Sequence, residues 1–140
     1  MKALSLWQPW ASAMALGLKS IETRHWSTSY RGPMAIHAAK RWTRDEREWG
    51  AEMADLHGAP ILANPPLGAI IAVGVLISIE ATDILRGNIS ETEEMFGNYG
   101  PKRFGWIFKD LVALPEPIPM RGMQGLWNWP TPADVIGGAA

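Results

Sequence analysis

The run from Ala69 to Ile84 limits what this chain can become more than any other stretch. Ile70, Ile71, Val73, Val75, Leu76, Ile77 and Ile79 follow one another almost without a polar break, and most are β-branched. A run of this kind reads as a strand covered on both faces for part of its length, because a half-buried strand would alternate apolar with polar residues. A sheet must therefore supply its neighbours. Candidates are Ala3 to Leu6, Ser20 to Arg24, Met34 to Ala38, and the segment that restarts at Phe104-Gly105-Trp106-Ile107-Phe108 and heads towards Leu114. Pro115, Pro117 and Pro119 read as an extended connector, since proline cannot sit in a central strand. A last aromatic strand follows at Leu126-Trp127-Asn128-Trp129.

Helices fall between these strands. Pro9 suits a first helical position and Gly17 a C-terminal cap. Thr43-Arg44-Asp45-Glu46 has the spacing of a capping box, followed by an apolar stripe through Trp42, Trp49, Met53 and Leu56 that ends near Gly58. Ala59 to Leu67, with three prolines, reads as a loop, and Ser90-Glu91-Thr92-Glu93 as a second capping box opening a short acidic helix. Strands with two or three helices inserted between them predict an α+β domain on a mixed, curled sheet.

One hundred and forty residues suit a single domain, 1–140, and the sequence shows no internal repeat. The chain has no cysteine, which removes disulfides and thiolate chemistry and fits a reducing compartment. Gln8 and Pro9 interrupt the opening apolar run before it could form a signal-peptide core, so a cytoplasmic protein is expected. Leu67 to Ile79 is too short to cross a bilayer as a helix, and no membrane association is expected. A net charge of −1 argues against holding long nucleic acid by counterion release alone. The charge is uneven, however: residues 1–50 carry eight Lys or Arg against four acids, and residues 51–140 carry five against ten. That asymmetry fits a localised anion-attracting surface.

The densest chemistry lies at Gly17-Leu18-Lys19-Ser20-Ile21-Glu22-Thr23-Arg24. Strand alternation places Glu22 with Arg24 and sets Lys19 on the face of Ile21, unless the turn after Gly17 twists it round. A site of Lys19, Glu22 and Arg24 around a polar ligand competes with an ordinary solvated ion pair. Arg121-Gly122-Met123-Gln124-Gly125 is a second candidate, in which glycines let the backbone approach a ligand and Gln124 reads a base edge or an amide. Eight tryptophans are mostly core by default; Trp10 and Trp127, which flank polar motifs, are the candidates for stacking on a base. No glycine-rich phosphate loop, dinucleotide fingerprint or His-Glu-x-x-His motif is present. His25, His37 and His57 belong to different elements, so no metal or cofactor is expected, although His37 could face a pocket.

The order of Leu4-Ser5-Leu6-Trp7-Gln8-Pro9-Trp10, Gly17-x-Lys19-x-x-Glu22-x-Arg24, Tyr30-Arg31-Gly32-Pro33 before Ile36-His37-Ala38-x-Lys40, and Gly122-x-Gln124-Gly125-Leu126-Trp127 resembles the ASCH (activating signal cointegrator homology) domain family. The resemblance implies a PUA-like fold, a small curled β-barrel with helices around it. It also implies binding of RNA or a nucleoside-like ligand in a cleft formed by Lys19, Glu22, Arg24, Tyr30, His37, Lys40 and the Gln124–Gly125 loop. Arg24, Arg31 and Lys40 would meet phosphate or ribose, and Trp10 or Trp127 would stack. One branch of the family looks like metal-free amidohydrolases of N4-acetylcytidine, and some members are ribonucleases. In that alternative Lys19 is the general base and Glu22 stands where the branch has threonine, with Glu93 or Glu94 an approximate match to the branch's glutamate. A protein interaction module with a vestigial cleft is the third reading.

Overall fold

A computed structural model describes residues 1–135. Its frame is one six-stranded sheet in which β1 (Lys2–Leu6), β2 (Ile21–Arg24), β3 (Gly32–Ala38), β4 (Ala69–Ala81), β5 (Phe104–Pro119) and β6 (Leu126–Asn128) lie in the order β2-β5-β4-β3-β1-β6. β1 and β3 run parallel and every other pair is antiparallel, so the sheet is mixed. It curls into a half-barrel.

The apolar run is β4, an interior strand between β5 and β3, and both of its faces are covered where the sequence is densest. Ile71, Ala72 and Leu76 join Leu4, Leu6, Met34, Ile36, Trp106 and Phe108 in one buried cluster. Ile70 and Val73 join Ala3, Ala35, Trp127 and Trp129 on the opposite face. Towards its end the strand emerges, and Ile77 is exposed.

β5 departs from the sequence reading by running straight through Pro115, Pro117 and Pro119. Pro115 and Pro117 are tolerated because the ladder breaks there, and Pro119 pairs with Ala69 as the last residue of the strand. The partner of Ile70 is Ile118 while that of Ala72 is Ala113, so Leu114 to Pro117 bulge out of register with β4. β2 covers the other edge only from Phe104 to Ile107, so beyond that point no second neighbour needs a proline N–H.

The helix α1 (Trp10–Ala15) packs Ala11 and Met14 onto the first cluster and Ala13 onto a third, shared with Met53, Ala54, Leu62 and Phe96. Met53 and Ala54 come from α2 (Arg44–His57), whose Thr43 capping box forms as read and whose Gly58 closes it in the left-handed region. The proline-rich connector contains a 3₁₀ turn at Pro60–Leu62. Two one-turn helices, α3 (Thr82–Leu85) and α4 (Glu91–Met95), sit between β4 and β5. Among the described residues no helix is long and apolar enough to cross a membrane.

Candidate functional site

The site begins at the end of α1. Gly17 has φ +77 and donates its N–H to Met14 O, while the N–H of Leu18 reaches Ala13 O. These two bonds form a Schellman motif, which reverses the chain sharply at the glycine. β2 starts only at Ile21, so Lys19 stands before the strand and escapes its alternation. Its side chain turns inward, is 1% exposed, and places Nζ 2.8 Å from Glu22 Oε1. The twist that the alternation rule required is therefore supplied by the turn.

Glu22 is held between two cations. Its Oε2 accepts from Arg24 Nε at 3.1 Å, and Arg24 Nη2 continues to Ser5 O at 2.6 Å. That last bond spans the curl, tying the β2 edge of the sheet to β1 near its other edge. Burial pushes the Glu22 carboxyl up, but the adjacent Lys19 and Arg24 charges outweigh it and hold the group below its usual range.

α4 locks this corner from outside. Ser90 Oγ accepts from Glu93 N, but the Glu93 carboxylate does not fold back to complete a capping box. It accepts instead from the N–H groups of Ser20 and Ile21, each at 3.0 Å. Glu93 is thus the acid that reaches the corner, whereas Glu94 is exposed. Beside them the Tyr99 hydroxyl is buried without a partner among the described residues. Burial first, and the Glu93, Glu22 and Glu94 charges next, push this phenol far up, so it remains protonated.

Above the corner lies a cleft of two lobes. The first, about 660 Å³, is walled by Trp10, Glu22, Trp49, Phe96, Asn98 and Arg103. The second, about 1550 Å³, is walled by His37, Lys40, Gly68, Arg121, Gln124 and Gly125. Ser5, Trp7, Arg24 and His25 line both and mark the junction.

The sequence-derived residues distribute unevenly over this cleft. Glu22, Arg24 and Trp10 reach the first lobe; Arg24, His37, Lys40, Gln124 and Gly125 reach the second. Lys19 lies behind Glu22 and lines neither. Tyr30 and Arg31 also line neither: the Tyr30 hydroxyl donates to Pro33 O and Arg31 Nη1 to Thr28 O and Tyr30 O, so both serve their own turn. Trp127 is 4% exposed and packs in the core, with its Nε1 donating to Ser5 Oγ at 3.3 Å, so it offers no face for stacking. Trp10 stacks on Trp49 at 5.2 Å between ring centroids.

The tryptophan that sequence reasoning missed is Trp7. It is 52% exposed and carries the Arg41 guanidinium 3.6 Å from its ring centroid. The signal was present, since Leu4 and Leu6 point inward and alternation sends Trp7 to the side of Ser5. His25, Asn98 and Arg103 left no such trace. Arg103 donates to the nearby Asn98 O and, across 80 residues of chain, to Thr23 O. Among the described residues no three metal-ligating side chains come together.

A curled mixed sheet with a cleft at its opening, walled by cations and aromatic rings, defines a PUA-like α+β domain. The chain matches the model of the ASCH domain over residues 4–116, and it belongs to the ASCH domain family. The crystal structure of ASCH from Zymomonas mobilis is similar with a TM-score of 0.56 at 17% identity, covering 96% of this chain and 90% of that one. A point mutant of the Zymomonas mobilis protein gives the same TM-score at 18% identity, covering 97% and 94%. No curated protein matches the chain.

Proposed function

We propose that the two-lobed cleft binds a short single-stranded RNA segment or a nucleoside-like ligand. The observation that carries this reading is the exposed Trp7 ring at the junction of two lobes whose walls bear Arg24, Arg103, Lys40 and Arg121. A π face between two cationic walls suits a base with phosphates on either side, and membership of the ASCH family supports the same class of ligand. Arg24 faces ribose or phosphate, and Gln124 offers a donor and an acceptor to a base edge.

The test is fluorescence anisotropy with short labelled oligoribonucleotides and free nucleosides across a salt series. Joint Arg24→Ala and Gln124→Ala substitution is expected to weaken binding by tenfold or more and to flatten the salt slope. Trp7→Ala, at a half-exposed position, is expected to cost about 1–3 kcal/mol of stacking. Unchanged affinity in all these variants would refute the assignment.

The contact between Lys19 and Glu22 favours a second reading, hydrolysis of an acyl group from a modified base. Its roles shift from those the family resemblance implies. Lys19 is enclosed and donates to Glu22, so Glu22 is the group that meets substrate, and its depressed carboxyl suits a base better than an acid. Cytidine released from N4-acetylcytidine by the native protein and lost in Glu22→Gln would establish it; no release would remove it.

A further inference from the structure

Ser5 and His37 were brought together by neither the site motifs nor the proposed binding. They are register partners on the parallel β1–β3 ladder, so their side chains stand on the same face of the sheet. Ser5 Oγ lies 2.9 Å from His37 Nδ1. The other ring nitrogen, Nε2, lies 2.6 Å from Met120 O. A carbonyl oxygen can only accept, so Nε2 carries the proton and Nδ1 of the neutral ring is left to accept from the serine hydroxyl. The competing acceptor for that hydroxyl, Met123 O, is farther away at 3.4 Å. Trp127 Nε1 donates to the serine oxygen from the core side. His37 is 2% exposed, and burial holds its imidazole below the usual pKa against the opposing effect of the Met120 bond, which keeps the ring neutral.

The surroundings complete a site. Ser5 lines both lobes. Arg24 Nη2 is fixed on Ser5 O, and Arg24 Nη1 has no hydrogen-bond partner among the described residues, which leaves donors beside the serine for a developing oxyanion. Gly122 closes over the pair so tightly that a Cβ there would come within 2.6 Å of Ser5 Oγ and 2.5 Å of His37 Cε1.

We propose that Ser5 is a nucleophile activated by His37, and that the junction of the two lobes is an acyl-transfer site for carboxylic esters. Ser5 Oγ bonds to the substrate carbonyl carbon while its proton passes to His37 Nδ1, and the carbonyl π pair moves onto oxygen beside Arg24. Collapse of that tetrahedral species breaks the bond to the leaving alcohol, which takes the proton from Nδ1. Water, deprotonated by the same nitrogen, then releases the acid and restores the serine. The net change is ester plus water to acid plus alcohol. The Met120 carbonyl orients the imidazole, as the third member of a serine–histidine arrangement does.

The chain has no native cysteine, so Ser5→Cys introduces a single thiol whose alkylation by iodoacetamide can be followed against pH. Arg24, His25, Lys40 and Arg121 are the other charged or titratable groups on the wall His37 shares, with Glu22 behind Arg24. Removing His37 separates its effect from theirs. We expect the thiol to titrate at least one unit below the ordinary value of about 8.5, and to return upward in the Ser5→Cys, His37→Gln double variant. In the unmutated protein a fluorophosphonate probe is expected to modify Ser5, located by peptide mass spectrometry, with at least tenfold slower labelling in His37→Gln. A thiol titrating at or above the ordinary value overturns the proposal, and does so even if His37→Gln fails to fold. A fluorophosphonate that leaves Ser5 unmodified overturns it as well. Neither readout involves RNA, so this inference and the binding proposal fail or stand separately.

Discussion

At the scale of single residues, Glu22 shows how strongly one carboxylate depends on its neighbours. Its folded-state pKa is depressed, so its contribution to stability is present above the unfolded value of about 4.3 and is lost as pH falls through the folded value. Denaturation midpoints of the native protein should therefore drop below pH 4 relative to Glu22→Gln, whose profile should be flatter. Removing a partner is a harsher change than neutralising the acid. Lys19→Ala leaves a buried carboxylate short of a cation and is expected to cost about 3–5 kcal/mol in urea unfolding. His37 obeys the same sign at higher pH: with its folded pKa lowered, the neutral ring stabilises the fold above about 6.5, and that contribution fades as acid protonates it. Gly122→Ala tests the same neighbourhood sterically. With a Cβ inside contact distance of both Ser5 and His37, it should separate the pair and lower stability by about 1–3 kcal/mol. Of these residues, Glu22 and Arg24 were legible from strand alternation. Lys19 was not, because whether it joins them depends on where the turn ends and the strand begins.

At the scale of elements, local chemistry was read well where its partners are local. The Thr43–Glu46 box depends on four consecutive residues and forms as expected, with Thr43 Oγ1 accepting from Glu46 N at 3.3 Å and Glu46 Oε1 accepting from Thr43 N at 3.1 Å. Thr43→Ala should cost about 1 kcal/mol, measurable as a lowered thermal midpoint. Ser90 to Glu93 has the same spacing, yet Glu93 leaves the helix to bind the start of β2, because two buried backbone N–H groups there have no strand partner to offer. Glu93→Ala should accordingly cost more than a cap alone, about 2–4 kcal/mol, and loosen the corner beneath the first lobe. The prolines of β5 carry the same lesson. Residue type forbids a paired central position, but only the register with β4 reveals that Pro115 and Pro117 are unpaired and that Pro119 is paired at the strand's end.

At the scale of the whole molecule, the curl of the sheet makes the cleft. β2 and β1 are separated by three strands in sheet order, and Arg24 nevertheless bridges them through Ser5 O. Arg24→Ala should thus act on both ligand affinity and stability, whereas Trp7→Ala should act on affinity alone; paired binding and unfolding measurements distinguish the two. The sequence by itself determined the α+β class, the doubly covered strand, the capped α2 and the motif at Gly17 to Arg24, because each rests on periodicity, turn chemistry or short spacing. Family resemblance carried the likeness across most of the chain. Tertiary structure decided which side chains share a cavity: it buried Trp127 and set Ser5 against His37. Those outcomes depend on strand order, register and curl, which join residues dozens of positions apart and leave no local pattern to read.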